Sequence, residues 1–268
     1  MKAGLKPMTF ADSKERFSNR VADYVRYRPG YPAGVIEALR SECGLRPGHS
    51  VADIGSGTGF LSELFLKNGN HVYGVEPNDA MRQAGEEYLA SYDTFTSVNG
   101  SAEATSLDAA SVDFVTAGQA FHWFDGETTR GEFLRILKPG GWVLVIWNDR
   151  RVSATPFGRD YEELLMHFGL DYARVRDAYP EMQDMTNFFG EGNFRVVELP
   201  NEQTLDHDGL VGRLCSSSCV PKEGHPNFAP MMAEVEKIFR THAVNGSVRM
   251  EYTTQMYFGH LVGSKASA

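Results

Sequence analysis

One stretch of ten residues, VADIGSGTGF at positions 51–60, constrains the fold more than any other part of the chain. A short apolar strand is followed by three glycines at alternate positions, Gly55, Gly57 and Gly59, and then by the apolar side of a helix. Glycine allows positive φ angles and lets a ligand approach the main chain, because it has no Cβ atom. The helix that starts after the loop presents unpaired backbone N–H groups. The pattern therefore predicts a strand–loop–helix unit that binds a nucleotide-type cofactor.

Regular alternation of strands and helices surrounds this loop. Strands are predicted at 50–54, 71–76, 95–98, 112–117 and 142–147, with two later ones at 194–199 and 248–258. The segment 142–147 is apolar throughout, which is typical of a central parallel strand buried on both faces. Such alternation favours right-handed crossovers and helices on both sides of a sheet. The sequence therefore predicts an α/β fold: a Rossmann-like, mostly parallel sheet of seven strands with a helical cap and an N-terminal cover.

The 268 residues are expected to form a single domain. Its predicted parts are an N-terminal cover (1–48), a cofactor-binding core (49–149), a cap with late elements (150–247) and a closing strand (248–262). The cover contains two predicted helices, at 13–27 and about 33–43, which are separated by Pro29, Gly30 and Pro32.

Composition narrows the set of partners. A formal net charge of -9 without a cluster of lysine and arginine argues against nucleic acid, because neutralising phosphates requires a basic face. No apolar run reaches the roughly 18 residues of a membrane helix, and the first residues hold no apolar stretch of signal-peptide type. The three cysteines, Cys43, Cys215 and Cys219, form no CxxC pair and have no paired histidines nearby. We therefore expect a cytoplasmic protein with no metal site, no nucleic-acid partner and no membrane partner.

The glycine loop is compatible with fewer cofactors than its glycines alone suggest. A phosphate-binding P-loop requires a lysine after its last glycine, and none follows Gly59. A dinucleotide loop has the pattern GxGxxG, whereas GSGTG places the third glycine one position early. Asp53 lies two residues before the first glycine, where a negative charge suits a cationic ligand better than a pyrophosphate. S-adenosyl-L-methionine, which carries an ammonium and a sulfonium but no phosphate, fits these features.

Glu76 ends the second predicted strand, seventeen residues after Gly59. A carboxylate at this place accepts hydrogen bonds from both hydroxyls of a ribose. This role is common to nicotinamide and adenosylmethionine enzymes, so Glu76 does not distinguish the two cofactors. The order strand–GxGxG–helix–strand–Glu argues against a merely structural turn and leaves a nicotinamide cofactor as an alternative.

These motifs resemble those of the class I S-adenosylmethionine-dependent methyltransferases. The segment DIGSGTG at 53–59 is similar to the first motif of that family, and GVEPN at 74–78, with Met81, is similar to the second. NGSAE at 99–103 resembles the turn that contacts adenine, with Ser101 where an acidic residue is usual. The resemblance implies the class I fold and S-adenosyl-L-methionine as the cofactor.

The resemblance also implies a set of cofactor-binding residues. In this family the first motif and the carboxylate after the second strand hold the cofactor, which would place adenine near Ala102 and the methionine portion near Gln119. The residues implied are Asp53, Gly55, Ser56, Gly57, Gly59, Glu76, Pro77, Met81, Ser101, Ala102, Glu103 and Gln119.

A narrower resemblance, to the trans-aconitate methyltransferases and similar type 11 enzymes, extends over nearly the whole chain. It rests on matches within 17–32, on QAFHWF at 119–124, and on SSSCVP at 216–221 with YTT at 252–254. In similar enzymes the N-terminal segment closes over the cofactor. This resemblance narrows the scaffold more than the substrate.

The methyl acceptor is expected beyond the carboxyl ends of the first and fourth strands. His122 and Trp123 follow the fourth strand. His122 is a candidate general base, and the alternative is that both rings form a wall of the pocket. The predicted substrate-binding residues are Tyr24, Tyr27, Arg28, Tyr31, His122 and Trp123.

Several other side chains are candidates for the acceptor site. Arg28 can pair with the cofactor carboxylate or with an acidic acceptor, although a solvated arginine is also compatible with its position. Arg150 and Arg151, directly after the fifth strand, are a second candidate anion site or ordinary surface charge. Ser217 and Ser218 are candidates to reach the acceptor from the cap.

The sequence therefore predicts an S-adenosylmethionine-dependent methyltransferase that acts on a small molecule, at an oxygen such as a carboxylate, by in-line methyl transfer. The alternatives are a cofactor-binding regulatory protein without turnover and a nicotinamide-dependent oxidoreductase. No NPPY sequence follows the fourth strand, which argues against enzymes that methylate amino groups of nucleic acids or glutamine. The sequence leaves the oligomeric state open.

Overall fold

The structure is a computed structural model that describes residues 25–177 and 181–262. Its strands are β1 (Ser50–Ile54), β2 (His71–Val75), β3 (Phe95–Val98), β4 (Val112–Gly118), β5 (Leu137–Arg150), β6 (Phe194–Leu205) and β7 (Val248–Gly259). Its α-helices are α1 (Gly34–Cys43), α2 (Phe60–Lys67), α3 (Asp79–Tyr88), α4 (Gly126–Ile136), α5 (Pro156–Phe168), α6 (Tyr172–Asp177), α7 (Met182–Phe189), α8 (His207–Cys215) and α9 (Phe228–His242). A 3-10 turn, Phe121–Trp123, lies between β4 and α4. None of the helices in these ranges is both long enough and apolar enough to cross a bilayer.

The seven strands of the described residues form one sheet in the order β3-β2-β1-β4-β5-β7-β6. Strand β7 runs antiparallel to both of its neighbours, and the other neighbouring pairs are parallel. The predicted fold class is therefore confirmed. Because the strand order reverses between β1 and β4, the carboxyl ends of these strands open a crevice of the kind in which α/β proteins bind ligands.

Apolar side chains cover both faces of the sheet. On one face, Val51 of β1 packs in a cluster with Leu39 of α1 and Phe65 of α2. On the other face, Ile54 of β1 packs in a cluster with Phe133 of α4 and with residues of α7. Successive residues of a strand point to opposite faces, so a strand that is apolar at every position contributes to both clusters. This explains why the central strands have continuous apolar sequences.

A third apolar cluster forms the cap. It joins α5, α8 and α9 to the first residues of β7 and includes the buried side chains of Tyr161, Leu214 and Val235. Because β7 is antiparallel to β5 and Tyr252 pairs with Arg150, the start of β7 lies at the carboxyl end of β5. The cap therefore stands beside the crevice.

Strand pairing explains where the predicted boundaries differ from the observed ones. Strand β6 continues beyond the predicted end at Leu199, because its pairing with β7 extends as far as Leu205 opposite Val248. Strand β5 begins before Trp142, because Leu137 pairs with Val112 across a β-bulge. Partners that are distant in sequence set these ends, so local patterns did not indicate them.

The segment 150–247, predicted as the cap with late elements, does not pack as one unit. Helix α7 lies within it, but its side chains join the cluster on the α4 face of the sheet. Of the predicted cover helix at 13–27, only 25–27 fall within the described residues, and these are helical. The division of the chain into four parts stays a prediction.

Candidate active site

The loop after β1 adopts the conformation that its glycines allow. Gly55, Gly57 and Gly59 have φ angles of 67°, 55° and 90°, a region that other residues disfavour. A Cβ atom on Gly55 would lie 2.7 Å from the Cβ of Ala120, so the loop approaches the turn after β4 too closely for a side chain. The N–H of Gly55 donates to the carbonyl of Val75 at 2.9 Å, which fixes the loop on the end of β2.

Glu76 connects this loop to the start of α3. Its Oε2 accepts the N–H of Gly57 at 2.9 Å, and its Oε1 accepts the N–H of Asn78 at 2.8 Å. Burial raises the pKa of the Glu76 carboxyl group, against the effect of these two backbone donors. A carboxylate offers about four acceptor positions, so Glu76 keeps capacity for two further donors, as the predicted ribose contact requires.

Three adjoining cavities open at the carboxyl ends of β1 and β4. The loop cavity lies against the glycine loop and the start of α3. The central cavity extends from the glycine loop to the ends of β5 and β7. The cap cavity lies between the turn Phe121–Trp123 and the cap helices α5, α6 and α8. Gln119 lines all three.

Most of the predicted cofactor-binding residues surround the loop cavity. Asp53 and Ser56 line the central cavity instead. Gly59 lines none of the three cavities, and a Cβ atom there would collide with Leu89, which indicates a packing role. The predicted residues that line the loop cavity are Gly55, Gly57, Glu76, Pro77, Met81, Ser101, Ala102, Glu103 and Gln119.

The turn that was predicted to contact adenine is closed by its own backbone. Ser101 and Ala104 exchange hydrogen bonds of 3.1 and 3.2 Å between their N–H and carbonyl groups, and Ala102 between them is buried. The carboxylate of Glu103 accepts the N–H of Asp125 at 3.1 Å, just before α4. Glu103 therefore lines the loop cavity while its carboxylate holds the start of a helix.

Asp53 is buried at the end of β1, and hydroxyl groups donate to both of its oxygens. Ser62 Oγ lies 2.6 Å from Oδ2, and Thr116 Oγ1 lies 3.1 Å from Oδ1. Burial raises the pKa of Asp53 to about 6, against the effect of these two hydrogen bonds. A cationic ligand in the central cavity would favour the ionised carboxylate.

Gln119, where the three cavities meet, has an unusual backbone conformation. Its φ angle is 56°, a left-handed value that is uncommon for a residue other than glycine. Its N–H donates to the carbonyl of Ile146 at 3.0 Å, and its Nε2 donates to the carbonyl of Asn148 at 3.2 Å. Residues held by their surroundings in sparsely populated conformations are typical of functional sites.

The N-terminal segment is held against the ends of β5 and β6. Gln203 Nε2 donates to the carbonyl of Tyr27 at 3.1 Å. The side-chain amides of Asn148 and Asn201 both donate to the carbonyl of Gly30, at 3.1 and 2.9 Å. These bonds fix residues 27–31 beside the central cavity.

The three predicted substrate-binding tyrosines have different positions. Tyr31 lines the central cavity, with its hydroxyl against Gly118. Tyr27 is not part of the lining of the three cavities; its ring packs against Gly212 of α8, which has no room for a Cβ atom. Tyr24 lies outside the described residues. The position of Tyr27 indicates that it fixes the N-terminal segment to the cap rather than contacting a substrate.

Guanidinium groups from three distant parts of the chain line the cap cavity: Arg28, Arg150 and Arg213. Arg28 Nη2 donates to the carbonyl of Ser216 at 2.9 Å. Arg213 of α8 is only 6% exposed, and its Nη1 donates to Ser217 Oγ at 3.2 Å. Among the described residues that line this cavity, none is acidic. The charged side chains that line the cap cavity are therefore all cations.

Glu162 of α5, just outside the lining, balances part of this charge. Its Oε2 accepts Arg150 Nη2 at 2.8 Å and the hydroxyl of Tyr172 at 2.7 Å, and its Oε1 pairs with Arg176. One carboxylate thus serves two guanidinium groups. A negatively charged ligand is the chemical complement of a cavity lined by guanidinium groups.

His122 and Trp123 lie in the wall between the cavities. Both line the cap cavity, and their ring centroids are 4.9 Å apart. Burial lowers the pKa of His122 to about 4, so its imidazole is neutral at pH 7. A group with so low a pKa is a weak proton acceptor, which favours the interpretation as a pocket wall over that as a general base.

Proteins that resemble this chain share one description. The profile of the methyltransferase domain matches residues 52–145. An uncharacterized methyltransferase-like protein of Schizosaccharomyces pombe is 32% identical over 226 residues, which cover 84% of this chain and 86% of that protein. The chain belongs to the methyltransferase family.

Other proteins that match this methyltransferase are also described as methyltransferases, but the matched segments differ in length. An uncharacterized methyltransferase of Mycobacterium bovis is 34% identical over 174 residues, which cover 63% of this chain and 66% of that protein. The chain spans between 58% and 66% of the length of several curated relatives that it matches. A provisionally assigned type II methyltransferase from Anaeromyxobacter dehalogenans has a TM-score of 0.62 at 22% identity, over 88% of this chain and 100% of that one, which shows a common fold.

The methyltransferase family is the enzyme class that was predicted, and S-adenosyl-L-methionine is the cofactor that this family implies. The methyltransferase's own residues fit that cofactor. Its glycine loop is followed by no phosphate-binding lysine, Glu76 has acceptor positions for a ribose, and Asp53 lies where a cationic group would ionise it. The roles of individual residues stay predictions.

Sequence patterns did not indicate three polar residues of the methyltransferase's cap cavity: Arg213, Tyr161 and Tyr172. Tyr161 has the helical spacing of a core residue in α5, with Phe157, Leu164 and Leu165 as buried neighbours. Arg213 is a lone cation among the apolar residues of α8, and this was the one signal of a buried charge.

Of the remaining residues that were predicted to reach the acceptor, some line the cap cavity and one lies on the surface. Arg150, Ser217 and Ser218 line the cap cavity. Arg151 does not: its side chain is 55% exposed and pairs with Glu251 at 3.2 Å. Of the two arginines predicted to follow the fifth strand, only Arg150, the last residue of β5, therefore belongs to the site.

The affinity of the methyltransferase for S-adenosyl-L-homocysteine is expected to fall as the pH decreases through about 6. Without ligand, the pKa of Asp53 is raised to about 6, and the ligand's ammonium group favours the ionised form. Below this pH a proton must leave Asp53 on binding, which lowers the affinity by up to about tenfold per pH unit. Calorimetry between pH 5 and 8 measures the effect. Asp53→Asn is expected to bind more weakly and without this pH dependence; an equally steep dependence in that variant would contradict the assignment.

Proposed function

We propose that this methyltransferase transfers a methyl group from S-adenosyl-L-methionine to an oxygen of a small acidic molecule, in the simplest case a carboxylate oxygen. One observation carries the proposal: Arg28, Arg150 and Arg213 line the cap cavity, which adjoins the loop cavity at Gln119. The planar guanidinium fork matches the geometry of a carboxylate, so arginine is suited to binding and orienting an acid.

In this reaction the residues of the chain orient the acid beside the cofactor and limit the access of water. When bound, S-adenosyl-L-methionine supplies a methyl group on a sulfonium; the S–CH3 bond breaks as the O–CH3 bond forms, which gives a thioether and a methyl ester. The arginines of the cap cavity hold the anionic oxygens of the acid and so restrict its orientation beside Gln119. Such alignment contributes a large part of the rate of a displacement between two bound molecules. Tyr31 lines the central cavity and Trp123 the cap cavity, where their aromatic rings leave less room for water.

No residue needs to remove a proton in this proposal. A carboxylate is ionised at neutral pH, whereas a phenol or an ammonium would require a base. The low pKa of His122, about 4, agrees with an acceptor of the first kind.

A panel of small acids, phenols and amines tests the proposed function. The full chain is incubated with S-adenosyl-L-methionine and each compound, and methyl esters, ethers and methylamines are identified by mass spectrometry. We expect methyl esters of acids. The variant His122→Asn is expected to keep its kcat for the best acid within about tenfold, because a general base contributes about 100- to 10,000-fold.

Other outcomes of the panel would support the alternatives. Methylation confined to phenols or amines, together with a loss of more than about 100-fold in His122→Asn, would contradict a carboxylate acceptor and indicate a base. Tight binding of S-adenosyl-L-homocysteine without any methylation would favour a regulatory protein. Binding of the reduced nicotinamide cofactor in a fluorescence titration would favour an oxidoreductase.

A further inference from the structure

Tyr161 of α5 lines the cap cavity and has a buried hydroxyl group. The residue is only 1% exposed and lines that cavity. Within the described ranges, no hydrogen-bond partner lies within reach of its hydroxyl oxygen. A buried hydroxyl without a partner costs about 1–3 kcal/mol, so its presence beside a ligand cavity calls for an explanation.

The surroundings of this hydroxyl are rich in donors. The guanidinium carbon of Arg150 lies 5.2 Å from the centroid of the Tyr161 ring. Burial raises the pKa of Tyr161, while the nearby charges of Arg213, Arg150 and Arg28 act in the opposite direction. The phenol is therefore neutral and carries a proton to donate, and guanidinium groups have no acceptor position to receive it.

An anionic ligand would satisfy both features of this cavity. Carboxylate oxygens accept hydrogen bonds from a phenol and from guanidinium groups at the same time. We propose that Tyr161 is an acceptor-binding residue whose hydroxyl donates a hydrogen bond to a carboxylate oxygen of the acid, beside Arg28 and Arg213, and thereby favours anionic over neutral acceptors. This inference rests on the acidic acceptor proposed above.

A purely structural role predicts a different behaviour for Tyr161. If the hydroxyl served the packing of the cap, its removal would lower the melting temperature of the protein alone. If it serves the ligand, the variant Tyr161→Phe keeps the ring packing, loses an unsatisfied hydroxyl, and is expected to unfold at the same or a higher temperature in the absence of acid. The acid-bound protein alone would lose a hydrogen bond.

The experiment uses the full chain saturated with S-adenosyl-L-homocysteine. Benzoate, glutarate and citrate serve as carboxylate probes in calorimetric titrations, and benzamide serves as the neutral counterpart of benzoate. The matched control is Tyr257→Phe. In the unaltered protein the hydroxyl of Tyr257 donates to Gln255 Oε1 at 3.3 Å, and Tyr257 does not line the cap cavity. For Tyr161→Phe we expect the Kd of the tightest acid to rise about 10- to 100-fold, with the affinity for S-adenosyl-L-homocysteine unchanged. Tyr257→Phe is expected to bind the acid like the unaltered protein.

The outcomes separate this inference from the proposed function. Weaker acid binding in Tyr161→Phe, with an undiminished melting temperature and a higher KM at nearly unchanged kcat for any acid that is methylated, would support it. Equal acid affinity in Tyr161→Phe and the unaltered protein would overturn the inference and leave the acidic acceptor intact. If the unaltered protein binds S-adenosyl-L-homocysteine but none of the acids, or binds benzamide as well as benzoate, both proposals fail.

Discussion

Replacing Glu76 with alanine is expected to weaken the binding of S-adenosyl-L-homocysteine by roughly 100-fold or more. The carboxylate accepts the N–H groups of Gly57 and Asn78, so its loss releases the glycine loop from the start of α3. The predicted contact with two ribose hydroxyls is lost at the same time. Hydrogen bonds to a charged group contribute about 1.5–3 kcal/mol each, and about 1.4 kcal/mol corresponds to a factor of ten in Kd.

Calorimetric titration of the folded variant measures this effect. Glu87→Ala is a matched control, because Glu87 is an exposed carboxylate on α3, and it is expected to leave the Kd unchanged. Glu76→Gln keeps the side-chain volume and one acceptor oxygen, so its affinity is expected to lie between the two. A Kd in Glu76→Ala equal to that of Glu87→Ala would show that Glu76 only supports the loop in the absence of ligand.

Replacing Arg213 with methionine is expected to lower kcat/KM for an acidic acceptor by roughly 30-fold or more. The buried guanidinium donates to Ser217 Oγ at 3.2 Å and to the hydroxyl of Tyr252 at 3.4 Å, and methionine occupies a similar volume without charge. Three arginines line the cavity, and the variant removes one of them. The remaining two offset less of the free energy that a carboxylate loses when it leaves water. Methionine removes the desolvation cost of a buried cation but also two hydrogen bonds, so thermal unfolding of the variant is measured beside its kinetics.

Steady-state kinetics and thermal unfolding together test the role of Arg213. Arg151→Met is the control, because Arg151 pairs with Glu251 on the surface and is expected to keep full activity. Arg213→Lys restores the charge without the planar fork and is expected to recover part of kcat/KM. An unaltered kcat/KM for acids in a stable Arg213→Met protein would remove the main support for an anionic acceptor.

Elements with a strong local signal were predicted closely. Strand β3 was predicted at 95–98 and is observed at Phe95–Val98, and the cover helix predicted at about 33–43 is observed as α1, Gly34–Cys43, with Gly44 after it. A glycine after the helix and a short apolar run are local features that the backbone follows directly. The ends of β5 and β6 were predicted less well, because pairing with β4 and β7 determines how far those strands extend.

The residues of the candidate site likewise comprise some that local motifs predicted and others that only the packing of distant segments brings together. The loop cavity follows from consecutive motifs, so Gly55, Glu76 and Ala102 were predicted from the sequence and line one cavity. The cap cavity brings together residues without a common motif: Arg28 donates to the carbonyl of Ser216, which is 188 positions away. Tyr161 in α5 has the spacing of an ordinary core residue, and nothing local distinguishes it from its neighbours.

The sequence by itself therefore determined the cofactor loop, because positive φ angles at glycine, strand length and helix start are properties of a few successive residues. It also determined the fold class, because alternating strands and helices have few ways to pack. Only the tertiary structure decided the charge of the cap cavity. That charge depends on which side chains the antiparallel β7 and the packed cap bring to the end of β5. Contacts between segments that are distant in sequence produce no periodic pattern of residues, so they cannot be read from the sequence alone.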